Sequence, residues 1–181
     1  MITQFASSVS FPNSIKPLTR PLTLIGVLIL TGCASFADVK PGTPLSEVIQ
    51  QHGQPAVTCP QNDGTQRVLW TQQPSGEQAW AASVDADNRV GAFTQMLTEQ
   101  QFEAMNQGEW DADKVRCQFG PPANIRQFPD HPNDTVWEYH YMGGGDDGYM
   151  MLWVTIQQGT ERVVSYTTSM DPTLNPTLTN K

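Results

Sequence analysis

The sequence predicts an α+β protein made of two tandem repeats, each of short helices packed on a three-stranded antiparallel sheet. Three observations predict it. First, "VIQQHGQPA", starting at Val48, returns as "VRCQFGPPA", starting at Val115, 67 residues later. Second, each copy closes a stretch with helical apolar spacing and stops it with a Gly and a Pro. Third, each copy is followed by three stretches with strand alternation, divided by turn signals. A single recurrence at this spacing describes a duplicated domain rather than a many-turn solenoid.

The elements follow in order. Thr43 reads as an N-cap, Pro44 as the first helical position and Glu47 as a capping-box partner. Leu45, Val48, Ile49 and His52 share one helix face. Gly53 supplies a left-handed stop and Pro55 prevents resumption. Strands are expected over 66–72, 78–84 and 89–97, with turns between them. The second unit opens with a helix over 98–108, capped by Thr98 with Gln101 three positions on. A helix over 111–120 turns Val115 and Phe119 inward and carries acidic residues in its first turn. Strands over 134–142, 148–157 and 161–170 complete the unit. The Pro/Thr/Asn-rich end, residues 171–181, reads as an unpacked tail. Trp70 and Trp137 are also 67 apart, and "RVGAF" from Arg89 and "RVVSY" from Arg162 are 73 apart. The six extra residues match the length of "GGGDDG" at 143–148.

Lys16 and Arg20 precede an apolar run at residues 21–30. A membrane-spanning helix needs about 20 apolar residues, so this run is too short. A basic stretch, a short apolar core and small residues describe an export signal. It ends "LTGC", which resembles the lipobox of bacterial lipoproteins. The resemblance implies a signal peptide over 1–32, cleavage before Cys33 and acylation of Cys33, with palmitate among the chains. Two or more acyl chains anchor a protein stably. In proteobacterial lipoproteins an Asp after the Cys usually marks inner-membrane retention. Ala34 stands there instead, implying the outer membrane, periplasmic face. Residues 33–43 then form a membrane-proximal linker, 44–97 the first repeat and 98–170 the second.

The chain has 10 Lys and Arg against 18 Asp and Glu. Losing Lys16 and Arg20 leaves it more acidic still. Nucleic-acid binding requires basic patches, so no nucleic-acid partner is expected. Cys59 and Cys117 remain, and an oxidising compartment permits their pairing. The sequence leaves that pairing open, because it does not give the Cα separation a disulfide needs. Cys117 lies opposite Val115 and Phe119 on its helix. That suits a disulfide or a domain contact better than a reactive thiolate.

His52 occupies the place of Phe119 in the repeat and reads as a partly buried filler. His131 lies in the turn "PDHPND". His140 alternates opposite Tyr139 and Tyr141, so it faces solvent or the far side of its sheet. No two His share metal-ligand spacing, so neither metal nor cofactor is expected. "GGGDDG" lacks the alternating oxygen ligands of an EF-hand and reads as a flexible hairpin tip. There is no Gly-x-Ser-x-Gly elbow, and no catalysis is expected. The anomaly is the strand over 148–157. Met150, Leu152, Val154 and Ile156 line one face; Tyr149, Met151 and Trp153 line the other. A half-solvated antiparallel strand is polar on one face. The second apolar face therefore packs between the repeats, or Tyr149, Met151 and Trp153 receive a protein partner.

"PGTPLSEVIQQHGQP" before a Trp-bearing strand, and "NQGEWDADKVRCQFGPP" before "VWEYHY", resemble the BamE-like (SmpA/OmlA) family of small outer-membrane lipoproteins. The resemblance implies two helices on a three-stranded antiparallel sheet in each unit. Family members include a subunit of the machinery that assembles outer-membrane β-barrels. The same fold in tandem occurs in the β-lactamase inhibitor protein. The resemblance thus implies a non-catalytic scaffold or protein-binding module, serving outer-membrane protein assembly or envelope integrity. Its alternative implication is a tethered inhibitor of a periplasmic enzyme. Two features depart from the barrel-assembly subunit. This chain has two units, and the first lacks room for a full leading helix between Cys33 and Gly42.

Overall fold

The structure, a computed structural model, describes residues 35–174. The expected signal segment, Cys33 and the tail from residue 175 lie outside the described residues. The protein is α+β, with two four-stranded antiparallel meanders. The first comprises β1 (Val57–Pro60), β2 (Gln66–Thr71), β3 (Ala79–Val84) and β4 (Thr94–Gln95). The second comprises β5 (Asn124–Phe128), β6 (His131–Met142), β7 (Tyr149–Gln157) and β8 (Arg162–Met170). Each follows an eight-residue helix, α1 (Leu45–His52) or α3 (Ala112–Phe119). Between the sheets, α2 (Glu99–Phe102) tightens into a 3-10 turn at Glu103–Asn106.

Three strands per sheet was therefore one too few. The additional strands, β1 and β5, come directly after each Gly-x-Pro. β1 alternates over only four residues, with Val57 and Cys59 inward, too short to read as a strand, and β5 is exposed throughout. Backbone pairing recruits them instead: Ala56 N–H donates to Leu69 O and Ala123 N–H to Glu138 O, both at 2.8 Å. The expected strand over 89–97 is also corrected. Only Thr94–Gln95 is extended into the ladder, with an isolated bridge between Val84 and Val90.

The caps divide. Thr98 accepts from Gln101 N at 3.4 Å and Asp111 from Lys114 N at 2.7 Å. Thr43 does not cap α1; its hydroxyl donates to Lys40 O at 2.7 Å. The carbonyl of Asn88, 2.9 Å from Leu45 N, satisfies that first-turn donor instead. The expected helix over 98–108 is broken because Trp110 intrudes on its end. The Trp110 indole N–H lies 3.1 Å from the carbonyls of both Ala104 and Gln107.

Both long helices end alike. Gly53 has φ +80° and ψ −176°, and Gly120 has φ +89° and ψ −175°. This is not the expected left-handed helical conformation. It is an extended positive-φ region open essentially to Gly alone, and a side chain there costs about 1–3 kcal/mol. A Cβ at Gly120 would come within 2.8 Å of Leu69 Cδ2, whereas one at Gly53 would meet nothing within 4 Å. Gly53→Ala should therefore lose about 1–3 kcal/mol. Gly120→Ala should lose more in urea titration, because Leu69 must move as well. Equal losses would show that Leu69 yields freely.

The duplication extends to individual hydrogen bonds. Leu45 N donates to Asn88 O and Ala112 N to Glu161 O; Val90 N donates to Thr43 O and Val163 N to Trp110 O. The acceptors Asn88 and Glu161 both have positive φ, 57° and 53°. One correspondence is corrected. The Trp70 indole donates to Gly53 O at 2.8 Å, and the group donating to Gly120 O, at 2.9 Å, is the Tyr139 hydroxyl. Register agrees, since Leu69 faces Val57 and Glu138 faces Asn124. Trp70 is thus the counterpart of Tyr139, not of Trp137. Trp80 and Leu152, which face these two, are counterparts in turn. The six extra residues are accordingly dispersed. Two enter before Tyr139, three enter the hairpin holding "GGGDDG", and one enters the β7–β8 hairpin.

Packing builds alternating layers. Val68, Trp70, Ala82 and Val84 of the first sheet bury against Val48 of α1. The expected linker already contributes here. Phe36 lies in a 3-10 turn and stacks on His52 at 4.0 Å between ring centroids. Phe102 meets Phe119 at the corresponding place, edge-on rather than stacked, at 5.5 Å. The other face of the first sheet, Leu69, Ala79 and Ala81, shares one core with Phe102, Val115 and Phe119 and with Tyr139, Tyr141 and Leu152 of the second sheet. The helices of the second unit thus lie between two sheets. Burial pushes the Tyr139 phenol far above its usual range and, acting first among several causes, lifts Tyr141 to about 12.

Candidate functional site

The register of the second sheet sorts its side chains cleanly. Trp137, Tyr139 and Tyr141 of β6 and Leu152, Val154 and Ile156 of β7 turn to the core. The outer face carries Val136, Glu138 and His140 of β6, opposite Thr155, Trp153 and Met151 of β7. No described helix shares a core cluster with this face. The repeats meet elsewhere, on the back of the first sheet, so packing between repeats does not account for the apolar outer face.

The three expected partner-surface residues separate. Tyr149 is 39% exposed. Trp153 is partly exposed, and its indole N–H donates to Ser169 Oγ at 3.0 Å. Met151, at 2% exposure, is removed from the contact surface, which corrects the expectation for it. His140 and Asp171 explain the coverage. His140 Nδ1 lies 2.6 Å from Asp171 Oδ2, so the pair spans β7 from the β6 side to the β8 side.

Asp171 also corrects the expected tail, which begins packed rather than free. It is fully buried and accepts from Thr173 N at 2.8 Å and Thr173 Oγ1 at 2.6 Å. Burial alone would raise its carboxyl; the Thr173 and His140 hydrogen bonds outweigh that and hold it below the usual range. The sign for stability follows. The contribution is complete above pH about 4, the unfolded value, and is lost as pH falls through the lower folded value. Asp171→Asn should flatten this acid limb in pH-dependent thermal melts. An unchanged limb would assign it to other carboxylates.

Beside Trp153 lies a buried carboxylate. Glu138 is 2% exposed. Arg126 Nε contacts its Oε1 as an ion pair, without a well-aligned hydrogen bond, and Asn124 Nδ2 donates to Oε2 at 3.2 Å. Both partners come from β5. Farther along the face, Phe128, Val136 and Val164, together with the polar His131, Asp134 and Ser165, line a groove of about 260 Å³. The face therefore combines an indole, a half-exposed guanidinium and a groove of mixed polar and apolar lining, features common at protein-binding surfaces. Alternation against Tyr139 and Tyr141 placed His140 on this side, whereas Glu138 was not singled out. Nothing in sequence showed that β5 would bury Glu138.

The remaining candidates are accounted for structurally. Cys59 of β1 and Cys117 of α3 form a disulfide, with Cα atoms 6.0 Å apart. Beside it, Arg67 Nε donates to Cys117 O at 3.0 Å, and burial lowers the Arg67 pKa. Gln73 gives a third tie between the repeats. Its amide donates to His140 O at 2.6 Å and accepts from His140 N at 3.2 Å, continuing the edge of β6 where β5 has ended. His52 fills its expected place against Phe36. His131 is exposed and pairs loosely with Asp130 at 3.8 Å. "GGGDDG" closes a hairpin through Gly143 N to Gly148 O at 2.9 Å. Among the described residues, no helix is long and apolar enough to cross a membrane, and no cluster of three or more His, Cys, Asp or Glu could hold a metal.

Comparison of the chain with protein-family models, curated proteins and solved structures gives no match.

Proposed function

We propose that this protein is a non-catalytic, protein-binding lipoprotein, anchored through Cys33 to the periplasmic face of the outer membrane. Its docking surface is the outer face of the second sheet. One observation carries the reading. The first sheet covers its corresponding face with α3, while the second leaves Trp153, Tyr149 and the Phe128–Val136 groove without a described helix. The resemblance to the BamE-like family supports service in outer-membrane protein assembly or envelope integrity.

The test uses the full chain in cells. In-cell crosslinking, followed by capture, should identify a defined envelope protein. Trp153→Ser with Tyr149→Ser should abolish that capture while the melting temperature moves only a few degrees. Unchanged capture with a large stability loss would reduce the face to a packing surface. Barrel-assembly subunits among the captured proteins would support the assembly role. A single enzyme held stoichiometrically and inactive would support the inhibitor role instead. Cys33→Ser should release the protein from the membrane fraction; unaltered fractionation would overturn the anchor.

A further inference from the structure

Four strands end the two sheets, and three of them carry features that discourage further pairing. β1 has four residues and finishes at Pro60; β4 has two residues. β5 has a register break between Arg126 and Phe128 and bears the Arg126 charge. Short strands, prolines, irregular register and charge are the ordinary means of protecting a sheet edge. β8 has them only at its start, where Arg162 stands and the register with β7 breaks between Val163 and Ser165; from Ser165 to Met170 it has none. Its nine residues, RVVSYTTSM, include no Pro and no charge after Arg162.

The ladder shows which backbone groups are open. Asp171 N–H donates to Tyr149 O. Alternation then directs the N–H and C=O of Ser165, Thr167 and Ser169 toward β7. Those of Tyr166, Thr168 and Met170 point away from it. Trp110 closes this side only as far as Val163, whose N–H donates to Trp110 O at 2.9 Å. No described strand pairs with β8 beyond that point. Val164 and Met170, near its two ends, are 53% and 47% exposed.

We propose that two copies of this chain join antiparallel through β8, about a two-fold axis at Thr168. Tyr166 of one copy then faces Met170 of the other, and Thr168 faces its own counterpart. All three outward-directed residues enter pairs that exchange both backbone bonds. The two second sheets become one eight-stranded sheet. Charge selects the occupant. The chain carries a net charge of −8, so copies repel over most of their surface, whereas this stretch contributes no charge. It presents no acidic side chain to attract a basic partner, and it matches itself in length and register. Such an isologous contact closes at the dimer.

Disulfide trapping tests the register in the full chain, in a non-ionic detergent. Opposed Cα atoms in such a pair lie about 5.5 Å apart, within disulfide reach. Thr168→Cys should give a crosslinked dimer on mild oxidation. Tyr166→Cys and Met170→Cys, each about 13 Å from its own counterpart, should remain near the level of the unsubstituted chain. Equal crosslinking at all three positions, or none above background at Thr168, would overturn the proposal. Sedimentation equilibrium gives an independent measure. The unsubstituted chain should show twice its monomer mass. Thr168→Pro, whose lost N–H points away from β7, should be a folded monomer. A monomeric unsubstituted chain, or a dimeric Thr168→Pro, would overturn it equally.

Discussion

Phe119→Ala should destabilise the protein by about 3–5 kcal/mol, the range for removing a buried aromatic ring. Phe119 has no exposed surface. Its ring contacts Phe102 at 5.5 Å, Trp110 at 6.1 Å and Tyr139 at 6.2 Å between centroids. These partners come from α2, the segment before α3, and β6, so the cavity would open where three elements meet. Backbone constraints at Gly120 and the Cys117 disulfide limit collapse around it. The melting temperature should fall by about 10 °C or more for a domain of this size. His52→Ala, at the corresponding position of the first unit, should cost clearly less. His52 is partly exposed and has a buried Nε2 without a hydrogen-bond partner in the structure. Comparable losses in calorimetry would refute the ranking.

Reduction of the Cys59–Cys117 disulfide should have an effect of similar size. The bond joins residues 58 apart. Constraining a loop of that length is worth about 4 kcal/mol in the chain-entropy model. A domain of ordinary stability has about 5–15 kcal/mol in total, so the reduced protein should be marginal. The bond is also local in consequence. It fastens β1, a four-residue edge strand, to α3. Thiol treatment should lower the urea midpoint, and hydrogen exchange should accelerate first in β1. An unaltered midpoint would mean that Arg67 and the Leu69 contact suffice without the bond.

The helix ends were legible because their causes are local. Gly53 and Gly120 must adopt a conformation other residues resist, and the following prolines are visible in sequence. The second strand of each meander was legible, β2 from its short apolar run and β6 from the alternation of Trp137, Tyr139 and Tyr141. The edge strands were not, because β1 alternates over only four residues and β5 is held by hydrogen bonds to a neighbour rather than by a buried face. The same omission concealed the site. Glu138 drew no notice in the sequence, because its burial depends on Arg126 and Asn124 of β5. The Trp70–Trp137 match failed for a different reason. Chemical identity was compared, whereas the structure preserves the task of donating to a Gly carbonyl. Tyr139 performs it as well as Trp70 does, two residues out of register.

The succession α1, first sheet, α3, second sheet is head-to-tail, and a head-to-tail stack has no inherent end. The back of the first sheet admits a helix because its middle holds Ala79, Ala81 and Leu69. At the corresponding places the second sheet holds Met151, Trp153 and Glu138. A ridge of indole, thioether and ion-paired carboxylate does not offer a third helix the shallow bed it needs. The same three substitutions that leave this surface without a described helix also act as a terminator, closing the stack after its second sheet among the described residues.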